Sequence, residues 1–321
     1  MNTGVDAAPG LNVLLILNGK AAENQQVRDA VRAVRADGHH VEVRVTWESG
    51  DAARFAQQAV TEARQGRVDR IVAGGGDGTV SAVFAAALAA GSLGQCSFGV
   101  LPLGTANDFA RSIGIPVDDL TAALRLPLAS PAHWIDMGVL DGCPFVNLVT
   151  GGFGSRVTAE TDPALKRALG GFAYVLTGLR RARELAACKG RFTAQDFSWE
   201  GSFLSFAIGN GRQAGGGIPL CPEALLDDGE LDLMILPELN PEARLDAVGR
   251  YLQDGAGTVE SFKITARSPW IAFEADEDIF INLDGEPQSV RNFRVECRRK
   301  VLPVHLGHAL LLKDDIQPGV C

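Results

Sequence analysis

The sequence predicts two unlike halves. Residues 1–138 read as an α/β domain with a three-layer, mostly parallel sheet. Residues 139–321 read as a mainly antiparallel β-sandwich domain, with a cleft between the two. Three observations lead there. Before Asp136, short strand-like runs alternate with helical patterns. After it, strand-like runs follow one another with few helices between them. A chain of 321 residues is also long for one hydrophobic core.

The elements follow in order. Residues 11–17, 41–46, 70–73 and 98–103 read as strands, and helical patterns lie near 23–36, 51–65 and 80–90. Strands linked in this way by helices indicate a parallel sheet covered on both faces. Gly38, Gly66 and Gly91 each stand where a helix should stop. In the second half, 203–208, 231–236, 262–265, 271–273, 279–283 and 293–297 read as strands. Asn210-Gly211, Asp228-Gly229 and Asp284-Gly285 supply turn signals. Two helices are expected there, at 163–187 and 241–252. The boundary is expected at 136–142, and the apolar stretch 304–313 could pack on either domain. No internal repeat or low-complexity tract is evident.

Composition narrows the function. Hydrophobic residues make up 46% and charged residues 21%, ordinary for a soluble globular protein. A net charge of −9 argues against a general nucleic-acid binder. The six cysteines are scattered and form no CxxC pair, which reads as reduced thiols of a cytoplasmic protein. The apolar run 13–17 is too short for a signal-peptide core or a membrane span. His305 and His308 have no nearby cysteine or acidic cluster and read as incidental, not as metal ligands.

The run Ala73-Gly74-Gly75-Gly76-Asp77-Gly78-Thr79 carries the most chemistry. A strand, a glycine turn and a helix start follow one another. Glycines let the backbone approach a ligand, and a helix N-terminus offers unpaired N–H groups, an arrangement that suits phosphate. Asp77 would repel phosphate directly. It fits if a divalent cation lies between them, or if its carboxylate holds the loop. Neither a G-x-x-x-x-G-K-[ST] loop nor a G-x-G-x-x-G fingerprint is present, which disfavours P-loop NTPases and dinucleotide enzymes. A second strand-to-helix turn, Gly104-Thr105-Ala106-Asn107-Asp108, follows the neighbouring strand, so one nucleotide crevice beyond the strand ends is the economical reading.

These stretches carry a family resemblance. Gly-Gly-Asp-Gly-Thr at 75–79, Leu-Pro-Leu-Gly-Thr-Ala-Asn-Asp-Phe-Ala at 101–110 and Leu-Asp-Gly-Glu-Pro at 283–287 resemble the catalytic signature of the diacylglycerol kinase superfamily. Leu-Ile-Leu-Asn-Gly-Lys at 15–20, Val-Arg-Val-Thr-Trp-Glu at 43–48, Thr-Gly-Gly-Phe-Gly at 150–154 and Gly-Asn-Gly-Arg-Gln-Ala-Gly-Gly-Gly at 209–217 narrow it to the bacterial YegS-type lipid kinases. The resemblance implies an ATP site at Thr46, Gly76, Asp77, Gly78, Thr79, Val80, Ser81, Ala82 and Thr105. It implies a proton acceptor at Glu286 with Asp284 beside it, two carboxylates near enough to raise one another's proton affinity. It implies a magnesium or calcium loop at the Leu225 carbonyl, Asp228 and Glu230, oxygen ligands that suit a hard cation. Asp284-Gly285 alone reads as a hairpin turn, and 225–230 alone as an acidic turn. Where the family carries Asn-Glu, this chain has Ser81-Ala82, which weakens side-chain support of the loop.

The activity implied is transfer of the ATP γ-phosphoryl group to a glycerolipid hydroxyl, with phosphatidylglycerol or diacylglycerol as acceptor. The enzyme would be cytoplasmic and peripheral to the inner face of the membrane. Basic residues at 166–191 (Lys166, Arg167, Arg180, Arg181, Arg183, Lys189 and Arg191) offer a surface for anionic lipid, or simply a solvated helix face. Two rivals remain: a soluble-substrate kinase of the NAD kinase type, and a binding protein weakened in catalysis.

Overall fold

The computed structural model describes residues 10–91, 93–152, 187–238, 263–307 and Leu312. In chain order the first part holds β1 (Asn12–Leu17), α1 (Gln25–Ala36), β2 (His40–Val45), α2 (Asp51–Arg64), β3 (Arg70–Gly75), α3 (Asp77–Ala90), β4 (Ser97–Pro102), α4 (Asp108–Ser112) and α5 (Leu120–Ala129). The rest holds β5 (Ala132–Leu140), β6 (Cys143–Phe145), β7 (Leu148–Gly152), β8 (Cys188–Ala194), β9 (Phe197–Gly209), β10 (Gln213–Ala214), β11 (Ile218–Pro219), β12 (Leu231–Pro237), β13 (Ile264–Ser268), β14 (Trp270–Leu283) and β15 (Glu286–His305). Two compact units divide the chain. The first is Met1–Gly104, Ile113–Trp134 and Leu302–His308; the second is Thr105–Ser112, Ile135–Val301 and Ala309–Cys321.

In the first unit the strands run in the order β2-β1-β3-β4, all pairs parallel. Leu14, Leu15, Ile16, Ile71, Val72, Ala73 and Phe98 are fully buried, successive residues of one strand included, so both sheet faces are covered. α1 packs with α5, and α2 with α3. The buried stripe Val27, Ala30, Val31 and Val34 shows why α1 is a helix, its apolar residues recurring every three to four positions. The strand order reverses between β1 and β3. The carboxyl ends of the strands at such a switch point form the usual ligand crevice of a doubly wound sheet.

The apolar stretch near 304 belongs to this unit. Val304 pairs in parallel with Phe98 of β4, and Leu302 and Val304 are fully buried. His305 sits in the core, its Nε2 2.7 Å from Ser97 Oγ and its Nδ1 2.8 Å from the Ser130 carbonyl oxygen. A carbonyl only accepts, so Nδ1 donates and the Ser97 hydroxyl donates to Nε2. Burial, with the Arg70 charge nearby, pushes the imidazole pKa down to about 4.

The second unit is antiparallel. β13, β12, β9 and β7 neighbour in that order, followed by β14 and β15, while β8 pairs with both β9 and β14. Phe192, Phe203, Phe206, Phe273 and Phe293 fill its core with ring centroids 4.7 to 5.9 Å apart. Two segments predicted separately, 271–273 and 279–283, form the single strand β14. A register shift between Glu274 and Ile279 accommodates the acidic residues between them. Lys189 and Arg191 stand on strand β8, not on the predicted basic helix, and Arg191 pairs with Glu200 at 2.7 Å. The other five basic residues named above lie outside the described residues, as do the predicted helices 163–187 (Ala187 excepted) and 241–252.

Candidate active site

The ends of β1, β2 and β3 build one face of the first unit. α3 begins at Asp77, with Gly76 as an extended N-cap residue that makes no side-chain cap bond. The helix thus starts three residues earlier than its pattern predicts, so Asp77, Gly78 and Thr79 form its first turn. N–H groups in a first turn have no helical carbonyl behind them. Thr79 and Val80 N–H both reach the Gly76 carbonyl, at 2.9 and 3.1 Å. A Cβ on Gly76 would lie 3.1 Å from Gly104 Cα, so the two glycine turns touch at their roots. A Cβ on Gly78 would meet nothing within 4 Å, and the residue does not need a left-handed backbone. Among the described residues packing gives no reason for glycine there.

Asn18 binds this turn to the next strand. Its Nδ2 donates to Thr79 Oγ1 at 3.1 Å, and its backbone N–H donates to the Gly74 carbonyl at 2.7 Å. Gly19 N–H donates to Thr46 Oγ1 at 3.2 Å, and a Cβ on Gly19 would lie 2.3 Å from the Thr46 carbonyl oxygen. Thr46 and Thr79 thus stand at either side of an Asn18-Gly19 floor. Asn18 and Gly19 were not among the expected site residues, although Asn-Gly directly after an apolar strand is a readable turn signal. Of the expected nucleotide residues, Val80 has its side chain in the core and Ser81 and Ala82 are half-buried.

The loop after β2 is fixed as well. Asp51 accepts N–H groups of Trp47 at 2.8 Å and Glu48 at 3.1 Å, and pairs with Arg54. The Trp47 N–H, then the Arg54 guanidinium, hold the Asp51 carboxyl down to about 2.

Thr105 groups with the second compact unit. In the second unit the buried Asp108 carboxylate accepts the N–H of Gly216 at 3.1 Å and of Gly217 at 2.7 Å. Gly215, Gly216 and Gly217 have φ of +67°, +92° and +95°, a wrap around the carboxylate that only glycines adopt readily. The end of the 209–217 motif, Gln213, Gly216 and Gly217, thereby grips Asp108.

The hairpin reading of 283–287 is correct as geometry. Leu283 pairs with Glu286 across Asp284 and Gly285, whose φ of +46° and +102° suit a two-residue turn. Asp284 carboxylate oxygens accept N–H from Val146 at 2.7 Å and from Asn147 and Leu148 at 3.0 Å each. The Asp284 carboxylate thereby anchors the turn to the residues that lead into β7. Glu286 is exposed at the tip.

The expected cation loop, Leu225 to Glu230, is braced by a residue sequence reasoning missed. Asp136 is fully buried and accepts N–H from Gly229 and Lys300, both at 2.6 Å. Burial raises its proton affinity, against these two donors. Asp228 Oδ1 accepts the Glu230 N–H at 3.0 Å, and Glu230 Oε2 lies 4.0 Å from Arg267 Nε. Among the described residues no three His, Cys, Asp or Glu side chains gather as metal ligands. The expected set is the Leu225 carbonyl, the Asp228 carboxylate and Glu230 through its backbone or side chain, all oxygen, which fits a hard cation in donor chemistry.

A parallel switch-point sheet with a glycine turn, joined to an antiparallel unit, defines the class. Residues 12–140 match the diacylglycerol kinase catalytic domain, and residues 147–306 match the YegS C-terminal NAD kinase beta sandwich-like domain. A probable lipid kinase YegS-like protein of Pseudomonas aeruginosa (strain UCBPP-PA14) is 52% identical over 294 residues, covering 92% of this chain and 94% of that one. One of the same description from Stenotrophomonas maltophilia (strain K279a) is 44% identical over 91% of this chain and 95% of its own length. Two crystal structures from Bacillus anthracis str. Sterne share the fold. One aligns with a TM-score of 0.77 at 23% identity over 97% of this chain and all of that chain. The other, a diacylglycerol kinase, gives 0.69 at 22% identity over 95% of this chain and all of its own. The chain belongs to the YegS-like lipid kinase family, phosphotransferases with an alcohol group as acceptor. Among the described residues no helix is long and apolar enough to cross a membrane.

Proposed function

We propose that this protein transfers the γ-phosphoryl group of ATP to a hydroxyl of a glycerolipid, of the diacylglycerol or phosphatidylglycerol type, at a membrane surface it meets peripherally. The observation that carries the nucleotide half is Gly78, a glycine in the first turn of α3 with neither a steric nor a backbone reason for being one. ATP phosphates would lie against the Gly76–Thr79 turn, Thr46 would stand just past the end of β2, two strands over, and Thr105 would contribute from the second segment. Glu286 would accept the lipid hydroxyl proton as that oxygen bonds to the γ-phosphorus and the bond to the β–γ bridging oxygen breaks, leaving ADP. Asp284 supports this by holding the turn in place through three backbone N–H groups. Magnesium carried with ATP would neutralise phosphate charge near Asp77, and a magnesium or calcium ion held by the Leu225 carbonyl, Asp228 and Glu230 would brace its loop.

Incubation with γ-labelled ATP, magnesium and either diacylglycerol or phosphatidylglycerol vesicles, or NAD in a parallel reaction, tests the reading. Label should appear in one of these lipids. Label in NAD instead, or in neither lipid, would overturn it.

A further inference from the structure

Trp47 is 93% exposed, while the other exposed large apolar side chains, Val45, Trp134 and Phe280, lie between 39% and 43%. Exposure on that scale usually marks a mobile tail, yet the backbone of Trp47 is pinned. Its N–H and that of Glu48 both end on the buried Asp51 carboxylate, which is itself paired with Arg54. The preceding residue, Thr46, is tied to Gly19 through its hydroxyl and to Leu17 through its N–H. The fold therefore fixes an indole backbone at the carboxyl end of β2 and leaves the ring uncovered.

The sheet order says what lies nearby. β2, β1 and β3 are consecutive, so Trp47 and the Gly76 turn follow strands two steps apart, about 10 Å. With phosphates on the Gly76–Thr79 turn, a nucleotide extended along the strand ends would bring its ribose to the Asn18-Gly19 floor and its base towards the end of β2. We propose that the Trp47 indole is the stacking platform for the nucleobase of ATP. The inference rests on the nucleotide reading above and adds the part of the site that recognises the base. An aromatic ring buries about 150–250 Å² when covered, and base–aromatic stacking contributes about 1–3 kcal/mol per base. A role as an anchor in an anionic bilayer is disfavoured by Glu48, an exposed acid next in the chain, where anionic-surface anchors carry Lys or Arg.

Calorimetric titration of the full chain with magnesium and either ATP or inorganic tripolyphosphate separates the possibilities, because only ATP carries a base. Trp47→Ala should weaken ATP binding roughly 5- to 150-fold and leave tripolyphosphate binding unchanged. Trp47→Phe should recover most of the loss. Unchanged ATP affinity in Trp47→Ala overturns the inference. So does an equal loss for both ligands, which would make Trp47 a support of the loop, or unchanged ATP affinity with reduced binding to phosphatidylglycerol vesicles. Wild-type protein that binds neither ligand would remove the nucleotide site itself, and this inference with it.

Discussion

Replacing Gly78 by alanine separates stability from function. The added Cβ meets no heavy atom within 4 Å, and the backbone there is not left-handed, so alanine enters without strain. Alanine also restricts the unfolded chain more than glycine does. The exchange should stabilise the protein by about 0.4–1 kcal/mol, a rise of roughly 1–4 °C in melting temperature. The same methyl group stands in the first turn of α3, where phosphate oxygens would approach the N–H groups. Losing one charge-assisted hydrogen bond costs about 1.5–3 kcal/mol, so ATP binding should weaken roughly 10- to 150-fold. Thermal melts and ATP calorimetry on the same preparation read both effects. A more stable variant with wild-type ATP affinity would refute the assignment of phosphate to this turn. A less stable variant would refute the claim that packing tolerates a side chain there.

Other consequences follow from particular contacts. Asp284→Ala strips the carboxylate from three backbone N–H groups and should lower stability by about 2–4 kcal/mol, visible as a lower denaturant midpoint. His305 has a folded pKa of about 4, below its unfolded value, so its contribution is complete above about pH 6.5 and is lost as pH falls towards 4. The loss amounts to roughly 3 kcal/mol, and His305→Gln should flatten that part of the stability–pH curve without steepening it elsewhere. Magnesium or calcium should raise the melting temperature of the wild type, and Asp228→Ala should abolish the rise. Phe206→Ala opens the aromatic core of the second unit and should cost about 3–5 kcal/mol, read by chemical denaturation.

Legibility in the sequence depended on range. β1, β3 and β4 were readable because strands covered on both faces are apolar throughout. The start of α3 was misread by three residues because the glycines that open the first turn also look like loop. β5 escaped because a single aspartate, Asp136, interrupts its apolar run where a boundary was expected. Nothing local reveals that its carboxylate reaches Gly229 and Lys300, 93 and 164 residues away. Thr105 and Asp108 were assigned to the first domain by proximity in the chain. Their grouping with the second unit is set by Gly216 and Gly217, more than a hundred residues on. The hairpin at Asp284 was legible as a turn, but the anchoring of its carboxylate was not, because its partners at 146–148 lie more than 130 residues earlier, where β7 begins. The exposed Trp47 was visible only as part of a motif; its exposure is a property of the fold.

The most direct measurement is transfer of label from γ-labelled ATP to glycerolipid by Glu286→Gln, with ATP affinity measured in parallel. Glutamine keeps the shape of an exposed side chain but cannot take the proton. The account predicts a loss of roughly a hundredfold or more in turnover with ATP affinity unchanged. Turnover within a few fold of wild type would contradict it.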